Sequence, residues 1–169
     1  MTTCQTITLD FDNEMINTRK LLERVPFDDA HRGYKPHPKS MALDRLATHV
    51  AELPSWIKMT LETDELDMQP GFKPVIASSS EELLAMFDKN VAGARAAIDA
   101  AKDEVMQKDW SFKFSGKTVF SVPRAGIVRG SLNHMIHHRA QLGVYLRLND
   151  IAIPGMYGPS ADDTNPLRP

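Results

Sequence analysis

The stretch 133-NHMIHHRAQL-142 places three of the chain's six histidines within positions 134–138. Imidazole titrates near neutral pH and is the commonest metal ligand, so such a cluster points to metal binding or proton transfer. Spacing decides which rings can act together. At about 100° per helical residue, Ile127, Ser131, His134, His138, Leu142 and Tyr145 share one narrow face. Val128, Met135 and Leu146 flank that face. His134 and His138 are one helical turn apart, which brings their Cβ atoms to roughly 5–6 Å. His137 points about 100° away, beside Gly130, Asn133 and Val144. The working pair is therefore His134 and His138, with His137 on the flank.

Two imidazoles on an apolar face need partners, because burying an unpaired polar group costs roughly 1–3 kcal/mol. Hydrogen bonds to Gln141 or Asn133 would meet that need. So would a metal ion held by both rings, and a catalytic zinc site usually takes three protein ligands. The second helix supplies a third imidazole. Ala42, Leu46, His49, Leu53, Trp56 and Ile57 share a face with His49 in its middle, and Trp56 extends the same cleft. On the residues alone, a three-histidine metal site and a polar core network both stand. Glu52 lies about 60° to one side of His49. It could be a fourth ligand, an acceptor for a ligand's other N–H, or a surface charge.

The elements that must position these residues are four helices. Ile7, Phe11, Met15, Thr18, Leu22 and Val25 recur at helical spacing, so the first helix is expected from about Thr6 to Val25, ended by Pro26. Loop 26-PFDDAHRGYKPHPKS-40 follows, and places His31 and His37 in solvent or at a cleft mouth. Ser40 is a plausible N-cap for a second helix from Met41 to Glu62, interrupted by Pro54. Residues 63–78 form a connection long enough to cross a bundle. Ser79 and Glu82 make a capping-box pattern for the third helix. Its stripe is Leu84, Phe87, Val91, Ala94, Ile98, Ala101 and Val105. The alternating segment 111-SFKFSGKTVFSVP-123 reads as a small hairpin or extended excursion. Pro123 suits the first turn of a fourth helix, which ends near Leu148. The tail from Asp150 is irregular. The expected fold is all-α: a four-helix bundle with a long crossover, in one domain spanning 1–169.

Composition narrows the function classes. The 169 residues carry a net charge of -2, so the basic surplus a nucleic-acid partner demands is missing. No apolar run approaches the ~20 residues of a membrane helix. The N-terminus, MTTCQTITLDFDNEM, lacks signal-peptide regions, and a cytoplasmic location is expected. The single cysteine, Cys4, excludes an intramolecular disulfide and reads as inert.

The motif 133-NHMIHHRAQL-142, running into Val144-Tyr145-Leu146-Arg147, resembles the last long helix of the DinB-like family, N-H-x-x-H-H-R-G-Q-L followed by Y-L-R. The segment 46-LATHVAEL-53 resembles that family's second-helix histidine motif, and 154-PGMYGPSADD-163 resembles the tail of one branch. Ala140 departs from the usual glycine, which matters little because alanine is the better helix former. The resemblance implies a four-helix bundle and a divalent metal, commonly nickel or zinc, on His49, His134 and His138. It also implies a homodimer, with His137, Asn133 and Gly130 at a helix or subunit contact. Some relatives are transferases or isomerases that use low-molecular-weight thiols, and others have no known activity. A metal-dependent thiol transferase or hydrolase acting on a small electrophile is thus one expectation. A stress-response or binding protein with a structural or sensed metal is the other.

Overall fold

The computed structural model describes residues 2–163. Helix α1 spans Thr3–Leu22 and α2 spans Leu43–Glu62. Strand β1 (Glu65–Met68) follows, then α3 (Ser80–Ala100) and a single turn, α4 (Asp103–Met106). Strands β2 (Asp109–Phe114) and β3 (Lys117–Pro123) lead into α5 (Arg124–Leu148).

Pairwise contacts fix the helix directions. Arg129 meets Asp10 at 3.1 Å and Arg139 meets Glu14 at 2.7 Å, so α1 and α5 run in parallel. Arg95–Asp12 and Arg19–Asp88 set α3 antiparallel to α1. Arg124 at the start of α5 donates to the Thr60 carbonyl at the end of α2, and Tyr145 donates to Met41 O, so α2 and α5 are antiparallel. The order is up, down, down, up. Parallel α2 and α3 require the long connection between them to cross the bundle, as the sequence suggests. Between the helices lies one apolar core, with Phe11, Leu22, Leu46, Ile57, Phe87 and Leu142 almost wholly buried.

Several boundaries differ from the sequence expectation, each for a local reason. Helix α1 starts earlier because Thr2 and Gln5 form a complete capping box ahead of the first apolar residue. It ends at Leu22 rather than Val25, since a residue before proline disfavours helical geometry. Ser40 does not cap α2. Its N–H closes a turn onto His37 O, and α2 begins beyond Ala42 without a side-chain cap. Pro54 does not interrupt α2; Asn90 Nδ2 donates to the Ala51 carbonyl in the turn the proline loosens. At α3, Ser79 accepts from Glu82 N, but Glu82 turns to Ser78 instead of completing a box. That helix stops at Ala100, so Ala101 and Val105 are not part of it.

The all-α expectation needs one correction: β1, β2 and β3 form a three-stranded sheet. The expected hairpin is present, turning at Ser115 and Gly116 with φ of 49° and 77°. Two positive φ values make the two-residue turn that suits the twist of a hairpin. Strand β1, inside the crossover, adds to β2 in parallel. The Asp67 carboxylate accepts the Gly116 N–H at 3.1 Å, tying the crossover to the hairpin turn. The sheet closes one end of the groove between α2 and α5.

Candidate metal centre

His49 sits in the second turn of α2, on a face carrying Leu46, Leu53 and Ile57 into the core. His134 and His138 sit at mid-length of α5. Because α2 and α5 are antiparallel, the three rings meet. Their centroids lie 5.2 Å (His49–His134), 4.8 Å (His49–His138) and 4.6 Å (His134–His138) apart. One ligand atom from each falls within 4.8 Å of the others, and His138 Nε2 is 2.8 Å from His134 Nε2. Tetrahedral Zn–N bonds would hold nitrogens roughly 3.3 Å apart, inside that range. The three imidazoles could therefore hold a metal ion.

The rings do not point into the core, as the helical wheel suggested. The buried stripe of α5 is Val128, Leu132, Met135, Arg139, Leu142 and Leu146. His134 is exposed and His138 half-buried, beside that stripe at the α2–α5 groove. This placement suits a site that exchanges ligand with solvent better than a polar network sealed in the core.

The surroundings orient the rings. His138 Nδ1 lies 2.7 Å from Gln141 Oε1; donating there leaves Nε2 with its lone pair toward the other two histidines. His49 Nδ1 is buried and lacks a hydrogen-bond partner of good geometry. The nearest acceptor is Glu52 Oε2 at 3.5 Å, itself held at 3.0 Å by Arg45. Burial pushes the Glu52 carboxyl up, but His49 and Arg45 outweigh it, and its pKa falls below the ordinary glutamate value. Glu52 is thus a carboxylate aimed at the back of His49 and lies outside the converging set. Trp56 lines the cleft next to the rings. His137 and Asn133 are exposed, with the His137 ring 5.0 Å from that of His138. His31 pairs with Asp28 in its own loop, and His37 accepts from Lys39 N.

Burial lowers the His134 pKa, helped by His49 and His137. Burial also lowers that of His138; Gln141 opposes the shift, while His49, His134 and His137 add to it. Both rings are therefore held in the neutral form that binds metal. In the metal-free protein the unfolded chain takes up protons first, near the ordinary histidine value of about 6.5. Stability is expected to fall as pH drops through that value, and the loss levels off below the folded pKa values. Thermal midpoints with chelator between pH 7.5 and 5 should show this. A His134→Ala/His138→Ala double variant should have the flatter profile; parallel curves would refute the assignment.

An open cleft of about 250 Å³ adjoins the rings. Leu53 and Trp56 of α2 and Gly126, Ile127 and Gly130 of α5 form its sides. Trp110 and Phe120 of the hairpin close it, and His49 and His134 border it. Another cavity, about 430 Å³, lies between α5 and the tail, and none of the three histidines lines it. The two arginines that line this second cavity are already paired, Arg139 with Glu14 and Arg147 with Asp162.

A family model described as DinB family matches residues 2–167. The chain belongs to the DinB family. Solved DinB-like structures share its fold. One, from Bacillus cereus ATCC 10987, is 20% identical, with a TM-score of 0.69 over 90% of this chain and 97% of that one. A DinB-like protein from Bacillus subtilis is 17% identical, with a TM-score of 0.67 over 89% and 96%. A proposed DinB member from Exiguobacterium sibiricum 255-15 is 19% identical, with a TM-score of 0.63 over 96% and 97%. No curated protein matches the chain. Among the described residues, no helix is long and apolar enough to cross a membrane.

Two buried arginines of this DinB chain were not singled out from the sequence. Arg124 bridges Thr60 O, Thr63 O, Asp109 O and Asp64, joining α2, the sheet and α5 at the cleft's closed end. Arg139 donates to Glu14 O, Thr18 Oγ1 and Tyr157 Oη. The signal was available for Arg139, which stands between Met135 and Leu142 on the true apolar stripe. Cys4 fits its inert reading. Burial and Asp103 push its thiol up to about 11, so the thiolate is scarce at neutral pH.

Proposed function

We propose that this DinB protein is a metal-dependent enzyme of the thiol-transferase or hydrolase kind, holding one nickel or zinc ion on His49, His134 and His138. The observation that carries the reading is the convergence of three imidazoles from two helices beside an open apolar cleft. Three neutral ligands leave the ion's charge uncompensated, so a bound ion would lower the pKa of water or stabilise a thiolate. The chain's own residues prepare that chemistry. Gln141 fixes the His138 tautomer, and Glu52, anchored by Arg45, is placed to accept from His49 Nδ1. The cleft receives the rest of the substrate and keeps water from it. A low-molecular-weight thiol and a small electrophile are the proposed substrates. Two copies of the chain are part of the reading; exposed Val144 and Leu148 on α5 offer apolar surface for their contact.

The test is a screen of metal-loaded protein with cellular thiols and small electrophiles. Turnover that disappears in a folded His138→Ala variant is the expected result. No turnover with any pair, alongside a metal that only raises stability, would favour the non-catalytic reading.

A further inference from the structure

The cleft beside the histidines has a definite shape and chemistry. It follows α5 from Gly126 to His134, roughly 12 Å of helix. On α2 it runs from His49 to Trp56. Since these helices are antiparallel, His49 and His134 share one end, while Trp56 and Gly126 share the other. Two of the polar groups along the way, on Ser131 and Trp110, are already committed. The Ser131 hydroxyl donates to Ile127 O at 2.9 Å, and Trp110 Nε1 donates to Thr63 Oγ1 at 3.1 Å. A polar group lodged at the far end would meet neither donor. Phe112 stacks on Phe120 at 5.6 Å and lies 6.5 Å from Trp56, so the far wall is a bank of aromatic rings.

Two glycines open this wall. Gly126 and Gly130 sit one turn apart inside α5, and a Cβ at either would meet nothing within 4 Å. Helix-interior glycine costs stability relative to alanine. Within the chain nothing packs against either glycine, and both border the cleft, so the missing side chains leave room in it. An apolar cavity of about 150 Å³ takes up benzene. The 250 Å³ here suits one aromatic ring with a short substituent.

We propose that the cleft between Trp56, Trp110, Phe120 and the Gly126/Gly130 face binds a flat, uncharged aromatic group of the substrate, with the polar end directed at His49 and His134. The second half of this statement rests on the proposed metal site; the first does not. The ring would lie offset or edge-on against the Trp56 indole, with the fully buried Trp110 behind the wall. Gly126 and Gly130 set the depth, and so decide how large a group is accepted.

The chain's two tryptophans, Trp56 and Trp110, both line the cleft, so its intrinsic fluorescence reports on this place. Nitrobenzene, a flat uncharged quencher, is titrated into the full chain as purified and again after chelator treatment. Saturable quenching is expected in both forms. Gly130→Leu should weaken it about tenfold or more, and Gly130→Ala should weaken it less. Gly143→Leu, the same change on α5 at the other cavity, should leave it unaltered. Circular dichroism confirms that each variant is folded. Linear, collisional quenching in the parent, or saturable quenching unchanged in Gly130→Leu, overturns the proposal. Competition then separates the two halves. With zinc loaded, phenylmethanethiol should displace nitrobenzene at about tenfold lower concentration than toluene does; without metal the two should be equal. Equality in both states would remove the metal-directed polar end and leave the aromatic subsite standing.

Discussion

Arg139→Ala is expected to destabilise the fold by about 3–5 kcal/mol, the usual cost of breaking a buried ion pair from one side. The Arg139 side chain is 3% exposed and that of Glu14 13%, with Nη2 and Oε2 at 2.7 Å. The guanidinium also donates to Glu14 O at 3.1 Å, Thr18 Oγ1 at 3.0 Å and Tyr157 Oη at 2.6 Å, and stacks 5.4 Å from the Tyr157 ring. Removing it leaves the Glu14 carboxylate with only the Tyr157 hydroxyl and takes away one of the tail's ties to α5. At about 2–4 °C per kcal/mol for a chain this size, the thermal midpoint should drop by about 6–20 °C. Arg139→Lys should recover little, because a single ammonium cannot span acceptors arranged for a planar fork. Glu14→Leu with Arg139→Met should recover much of the loss, since both charges then leave the low-dielectric interior together. Urea denaturation of the single and double variants measures all of this. A loss under about 1 kcal/mol in Arg139→Ala would mean that the pair behaves as a surface contact.

Metal addition should produce the second large effect. An ion that binds the folded histidine set and not the unfolded chain stabilises by about 2.7 kcal/mol at a hundredfold excess over Kd, and by about 4.1 kcal/mol at a thousandfold. The thermal midpoint should rise by about 5–15 °C with zinc or nickel and fall back on chelation. His49→Ala and His138→Ala should each abolish the rise, because one removes the α2 ligand and the other an α5 ligand. Acidification should weaken the rise too, as protons compete for the same nitrogens. A rise of equal size in His49→Ala would place the bound ion elsewhere on the surface.

Much of this architecture was legible because helical periodicity is a strong signal. The stripe Leu84, Phe87, Val91, Ala94, Ile98 lies on one helix, and Ser-Gly at 115–116 marks a turn that needs two positive φ values. The three converging histidines were legible for a related reason. His134 and His138 are one turn apart, and only one other long apolar stripe carries an imidazole. Two things were hidden. Strand β1 is four residues long and forms only because β2 lies beside it, a long-range pairing that local sequence does not encode. The exact phase of α5 was missed by about one position. His134 and His138 drew the apolar face toward themselves, whereas Arg139 belongs to the buried stripe through a partner, Glu14, more than a hundred residues away. A buried charge is readable only with its counter-charge, and sequence does not show the pair.

Elemental mass spectrometry on untagged protein, with His49→Ala and His138→Ala alongside, counts the single ion that α2 and α5 would share. The parent should carry about one equivalent of nickel or zinc per chain, and either variant none. A parent chain that stays metal-free after incubation with both ions, or a variant that keeps the full equivalent, would contradict the shared site.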